Sequence, residues 1–243
     1  MKTKNITMVV LIALIAASTL FFGCGGNRAT TVVVAPDYKK QFAIDAGLAL
    51  VILDKSPQVI YFGDLKKSLS DADGYNENIA AEILAVNYFS SQLIRDIVRD
   101  IDVKEVFKTE IGHRYLITKD AVRTQDENVT IEIPNAGTHF VFNGREAALV
   151  LFLDKIRIGT ESDPYYRERA QSGIYVTAGR KLVYLANFVL WDNRERKVIC
   201  YGRVKTAVPI KREEATTANW EEASAELVRT IFEPTGFRKR QGR

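Results

Sequence analysis

Few residues in this 243-residue chain have the types and spacing that catalysis or metal binding requires. The two histidines, His113 and His139, lie far apart, and neither has a second ligand one helical turn away. His113 opens a strand-like run and His139 adjoins the apolar Phe140-Val141-Phe142, so both read as structural or surface residues. Cys200 stands between Ile199 and Tyr201 in a strand-like stretch, where a thiol serves as a small apolar filler. No base adjoins it in sequence to make it a nucleophile. No serine occupies Gly-x-Ser-x-Gly, and neither a phosphate loop nor a dinucleotide fingerprint occurs. No catalytic residue, cofactor or metal ligand is therefore assigned, and the chain is expected not to be an enzyme. A hydrolase with paired carboxylates stays open as the alternative, because proximity in space is not legible along the chain.

Two stretches have the chemistry of recognition instead. GTESDPYYRERAQSG, residues 159–173, is a long polar segment between two strong strand patterns. Its Tyr165, Tyr166, Arg167 and Arg169 belong to the types enriched at interfaces and are the candidate partner-binding residues. The blander reading is a solvated loop whose tyrosines fold back onto the domain. The terminal FRKRQGR, residues 237–243, is a basic tail that suits lipid headgroups or an anionic wall polymer, or simply a solubilising end.

The thiol with a chemical role is Cys24. Lys2 and Lys4 precede an uncharged, mostly apolar run from Ile6 to Phe22, and Gly23 sits just before the cysteine. That order is an export signal, with the lysines held on the cytoplasmic side while the apolar run enters the bilayer. At seventeen residues the run is at the short edge of what spans a membrane, so an uncleaved anchor is the competing reading. The stretch LFFGC resembles the lipobox of bacterial lipoproteins, although Phe21 and Phe22 are bulkier than the usual residues there. The resemblance implies cleavage before Cys24, a diacylglyceryl group on its sulfur and anchorage in a bilayer. Gly25, where an aspartate would imply retention at the inner membrane, implies the outer membrane. Residues 1–23 are thus assigned as signal peptide and 24–40 as a lipidated tether.

Lys and Arg total 34 and Asp and Glu 30, a formal charge of +4; removing Lys2 and Lys4 leaves +2. A nearly neutral chain with no concentrated basic face is not expected to bind nucleic acid. With Cys24 lipidated, Cys200 has no partner for a disulfide within the chain.

Hydrophobic periodicity then supplies the scaffold. LALVILD and QVIYFGDLKKSL open with buried-strand patterns, the second turning at Gly63. NENIAAEILAVNYFSSQLIRDIVRDI spaces Ile79, Ile83, Val86, Leu93 and Ile97 as a helix, with Asn76 or Asn78 as its cap and Tyr88 and Phe89 packing in or beside the core. HRYLIT and NVTIEI read as strands, followed by a turn at Asn135-Ala136-Gly137. REAALVLFLDKIRIGT reads as a long strand, and RKLVYLANFVLWDNRERKVICYGRVKTAVPI as a hairpin turning at DNRERK. In its first strand Leu182, Tyr184, Ala186, Phe188 and Leu190 share one face and Val183, Leu185, Val189 and Trp191 the other, so it must be covered on both sides. A last helix, capped at Thr217 or Asn219, buries Trp220, Ala223, Leu227 and Ile231 and ends at Pro234 and Gly236.

The expectation is one α+β domain over residues 41–236: a mainly antiparallel or mixed sheet with two principal amphipathic helices. The hairpin WDNRERKVICYGR followed by a helix is similar in pattern to penicillin-binding-protein activator lipoproteins, to auxiliary lipoproteins of envelope transporters and to the amino-terminal domain of the Tol-system propeller protein. That resemblance implies a non-enzymatic binding or assembly role beside an envelope protein partner. A small-ligand or lipid carrier is a further alternative.

Overall fold

The computed structural model describes residues 30–39, 46–53, 58–61, 81–111, 116–123, 128–162, 179–210, 214–237 and 239. In chain order these form β1 (Thr31–Val34), β2 (Gly47–Ile52), β3 (Gln58–Val59), α1 (Ala81–Asp100), β4 (Val106–Thr109), β5 (Leu116–Arg123), β6 (Asn128–Pro134), β7 (Ala147–Ser162), β8 (Arg180–Asp192), β9 (Lys197–Ile210) and α2 (Thr217–Phe232). The fold is α+β. Its main sheet runs β1-β9-β8-β7-β2-β4, with β3 beside β2 on the same edge of β7.

Strands β1, β9, β8 and β7 pair antiparallel. Strand β2 is parallel to both β7 and β4, and parallel neighbours need a crossover between them. Helix α1 lies on the crossover from β2 to β4. Strand β7 bends at a register shift between Asp154 and Arg157, where Lys155 takes φ 48°. There β2 gives way to β3: Leu53 N–H donates to Leu153 O and Ile60 N–H to Ile158 O, both at 2.8 Å.

Each face of β8 has its own cover, as its two apolar faces require. Phe89, Leu93 and Ile97 of α1 and Trp220, Leu227 and Ile231 of α2 pack on Leu151, Leu153, Leu182, Tyr184, Phe188 and Leu190. On the opposite face the β5–β6 hairpin, a separate two-stranded sheet, sets Val122, Val129, Ile131 and Ile133 against Val150, Phe152, Val189 and Trp191. Phe107, Phe140 and Phe142 complete that second core.

Several boundaries differ from the sequence expectation. Thr31–Val34 is placed in the tether by its position after a glycine-rich stretch, yet it forms the sheet's edge strand, registered from Thr31↔Arg203 to Val34↔Cys200. Gly202 makes this possible: a Cβ there would stand 1.9 Å from Thr31 O, so a side chain would exclude β1. Phe237 is fully buried rather than part of a tail, and Lys239 N–H donates to Asp100 O at 2.9 Å. Of QVIYFGDLKKSL only Gln58–Val59 is a described strand, and the expected cap positions Asn76 and Asn78, with Ile79, lie outside the described residues. Helix α2 is capped by Thr216, not by Thr217 or Asn219. Asn219 reaches back instead: its Oδ1 accepts from Thr216 N–H at 3.0 Å, and its Nδ2 donates to Pro209 O at 3.2 Å.

Candidate functional site

Cys24 and the residues Tyr165, Tyr166, Arg167 and Arg169 all lie outside the described residues, as does His113. What is described is the ground around them. In sequence, residues 163–179 lie between Ser162, where β7 ends, and Arg180, where β8 starts; both strand ends are registered beside the end of β9.

On the hairpin-side face, the register across β7, β8 and β9 sorts the side chains into rows. Phe152–Val189–Tyr201 is apolar and belongs to the second core. The next row, Asp154–Asn187–Arg203, is polar; Arg203 Nε–H donates to Asn187 Oδ1 at 2.9 Å, while the buried Asn187 Nδ2 has no hydrogen-bond partner among the described residues. Beyond it come Arg157–Leu185–Lys205 and Gly159–Val183–Ala207, then Glu161–Lys181–Pro209. Lys205 Nζ meets Glu161 Oε1 at 2.6 Å. Because β8 lies between their strands, this ion pair bridges over the strand that carries Val183 and Leu185. Ile60, 60% exposed, adds an apolar group beside Gly159. The half of this face nearest residues 163–179 is thus a mixed platform of small apolar and charged side chains, with Arg157 and Glu161 exposed.

The helix-side face contains a buried polar seam. Asp96 of α1 is wholly buried and held by Arg99 Nη1 at 2.9 Å and by Gln92 Nε2 at 3.3 Å. Tyr184 donates its hydroxyl to Trp220 O at 3.3 Å, and its ring meets those of Phe89 and Trp220 edge-on. Burial, then the neighbouring Tyr88 and Asp96, pushes the Tyr184 hydroxyl well above the ordinary tyrosine range. Tyr88 is raised as well, by burial first and then by Glu221. A phenol this reluctant to ionise is a packing and hydrogen-bonding group at neutral pH. Cys200 is buried in β9 as expected, and burial pushes its thiol up to about 12, so it carries no thiolate at neutral pH. His139 is exposed. Among the described residues no three His, Cys, Asp or Glu side chains are grouped to hold a metal ion, and no helix is long and apolar enough to cross a membrane.

One feature escaped the sequence reading. The connection from β6 to β7, residues 135–146, is clamped to the β8–β9 turn. Asn193, buried within that turn, accepts from Phe140 N–H at 2.8 Å and donates Nδ2–H to Phe140 O at 2.9 Å and to Ala147 O at 3.0 Å. Gly137 N–H donates to Arg196 O at 2.9 Å. Phe140 and Phe142 point into the second core, where Phe140 packs on Phe152 and Trp191 and Phe142 on Phe107. Val141 between them points outward and is 81% exposed, more than any other large apolar residue described. Arg145 bridges back to Phe142 and holds its guanidinium 5.1 Å from the Phe107 ring centroid. The alternation Phe-Val-Phe was the available signal: a period of two that buries both phenylalanines must turn the valine out.

No protein-family description and no curated protein matches the chain. Solved structures align with it at low similarity. A PelC dodecamer from Paraburkholderia phytofirmans aligns at 11% identity and TM-score 0.36, over 87% of this chain and 99% of that one. A Xanthomonas campestris protein of the DUF330 family aligns at 13% identity and TM-score 0.34, over 85% of this chain and 90% of that one. At these TM-scores the likeness carries no argument about function.

Proposed function

We propose that the chain is a lipid-anchored protein of the bacterial envelope with a non-enzymatic binding or assembly role. The observation that carries this reading is the spacing between LFFGC and β1: only six residues, Gly25–Thr30, separate Cys24 from the edge strand. Fully extended, they reach about 20 Å, so an acylated Cys24 would hold the domain against the bilayer. The attachment is firm on the protein side. Thr30 Oγ1 accepts from Lys205 N–H at 3.2 Å and donates to Lys205 O at 3.3 Å, continuing the β1–β9 ladder with a side chain.

Because β1 is antiparallel to β9, the chain enters from the end of the sheet where β9 finishes. The end of β7, the start of β8 and the mixed platform on β7–β9 lie at that end. Tyr165, Tyr166, Arg167 and Arg169, whose types suit an interface, are proposed as a partner-binding segment, and Gly25 favours the outer membrane. The test is intact mass of the detergent-extracted protein with its wild-type and Cys24→Ser forms. A mass lacking residues 1–23 and carrying diacylglycerol, lost in the variant, is expected. An intact leader without acyl chains, or protein dissolved in the cytosol, would overturn the proposal.

A further inference from the structure

Asn143-Gly144 is the chain's single Asn-Gly pair, and it lies in the loop that Asn193 clamps. Phe142 and Arg145 bridge beneath it, with Arg145 N–H donating to Phe142 O at 2.6 Å, and the two residues between them take φ 37° and 83°. Left-handed backbone at both central positions is the two-residue turn that Asn-Gly favours. Both residues are exposed, and a Cβ on Gly144 would meet nothing within 4 Å. Among the described residues, neither Gly144 N–H nor the Asn143 side-chain amide has a hydrogen-bond partner. These are the conditions under which an asparagine can react with its own backbone. The nucleophile is the amide nitrogen of the next residue, which must give up its proton to solvent base and reach the side-chain carbonyl carbon. A hydrogen bond on that N–H, or a side chain on that residue, hinders the step. The other described asparagines are all followed by a residue with a side chain, and most are also held. Asn193 spends its buried amide on three hydrogen bonds, and Arg194 N–H after it is bound to Asp192 Oδ1 at 3.0 Å. Asn187 is buried, Asn219 is tied to Thr216 and Pro209, and Asn87 and Asn128 lie within α1 and β6.

We propose that Asn143 is a self-modification site: in the folded protein its side-chain amide is lost through a succinimide formed with Gly144, leaving aspartate or isoaspartate in the turn. Solvent hydroxide takes the Gly144 N–H proton. The Gly144 nitrogen then bonds to Asn143 Cγ, the Cγ–Nδ2 bond breaks, and Nδ2 leaves as ammonia with a proton from water. Water opens the ring at one of its two carbonyls, which either restores the ordinary peptide or routes the main chain through Cγ. Nothing is oxidised or reduced, and one water is consumed for each ammonia released. Both products place a new carboxylate between Phe142 and Arg145. The isoaspartate form also lengthens the main chain by one methylene, which the 2.6 Å bridge cannot absorb without moving. Arg145 is then released from its place at the Phe107 ring, while Phe140 stays held by Asn193. The site is independent of whether Cys24 is acylated.

The test incubates the purified full-length chain in mildly alkaline buffer for days, folded and in urea, and maps its peptides by mass with isoaspartate distinguished from aspartate. The folded protein should gain about 1 Da in the peptide containing Asn143 and in no other. Its rate should lie within about tenfold of that in urea, since the exposed turn opens locally, and should rise with pH because base must remove the amide proton. Asn143→Gly keeps a backbone suited to the turn, so it should abolish the gain and leave the melting temperature within a few degrees of wild type. In the modified fraction, hydrogen exchange should quicken at Arg145 while Phe140 keeps its protection. A gain spread over several asparagines, a gain seen only in urea, a rate indifferent to pH, or an Asn143→Gly protein that still gains mass would overturn the proposal.

Discussion

The two faces of the main sheet are finished differently. The helix-side face is apolar along almost the whole length of β7, β8 and β9, from Leu149 to Ile158 and from Leu182 to Leu190, and α1 and α2 cover it. The hairpin-side face is apolar at Phe152, Val189 and Tyr201, polar one row later at Asp154, Asn187 and Arg203, and mixed beyond, where Leu185, Val183 and Ala207 alternate with Arg157, Lys205, Glu161 and Lys181. A pair of helices can cover a long sheet, whereas a two-stranded hairpin covers about half of one. The first face therefore carries the larger share of the stability, and the second is only partly covered by the hairpin, with a clamped loop at one end.

That contrast is sharpest along β8 itself. Phe188→Ala removes a fully buried ring from the helix side and should cost about 4 kcal/mol in urea unfolding. Leu185→Ala, three residues away on the half-buried open side, should cost about 1 kcal/mol or less. Equal costs would mean that the platform is as fully covered as the helix side.

Gly202→Ala should be next in size, about 2–3 kcal/mol, because its Cβ cannot coexist with Thr31 O. Hydrogen exchange should show Thr31–Val34 losing protection while α2 keeps it; unchanged protection at β1 would contradict the close approach of the two strands.

Asn193→Ala leaves Phe140 N–H, Phe140 O and Ala147 O without their side-chain partner and should cost about 2 kcal/mol. Faster exchange should be confined to residues 135–146. Loss of protection in α1 as well would show that the two cores are not independent.

The last effect is one of titration rather than packing, and it is read in alkali. Burial keeps the Cys200 thiol protonated in the folded state up to about 12, whereas the unfolded chain releases that proton near the ordinary thiol value of 9.0. Between those values the folded state binds the extra proton, so stability falls as pH rises, by at most about 1.4 kcal/mol per pH unit for this one group. Cys200→Ala should flatten the slope in that window, leaving the later contribution of Tyr184, whose hydroxyl is also raised. A slope identical to wild type would mean that the thiol titrates with solvent access.

Much of this architecture was legible beforehand where neighbouring residues encode it. Strand β7 was expected from REAALVLFLDKIRIGT and runs from Ala147 to Ser162, and the alternation of β8 correctly required cover on both sides. The buried stripe of α2 contains the expected Trp220, Ala223, Leu227 and Ile231. Misplaced features are those in which a local signal meant something else. Thr31-Val32-Val33-Val34 has the β-branched composition of a strand but follows glycines, and only β9 with its bare Gly202 makes it one. Asn193 was read as a turn former, whereas it also holds a loop fifty-three residues earlier.

By itself, the amino-acid order determined the apolar run before Cys24, the periodicities that make strands and helices, and the faces those elements must bury, because each depends on residues within a few positions of one another. Only the tertiary structure decided that Tyr38 would donate to Thr235 O, 197 residues away, that the hairpin would close one half of a face, and that Val141 would stand out from a fixed loop. Those outcomes turn on which surfaces meet, and complementarity between distant segments exists only once the chain has brought them together.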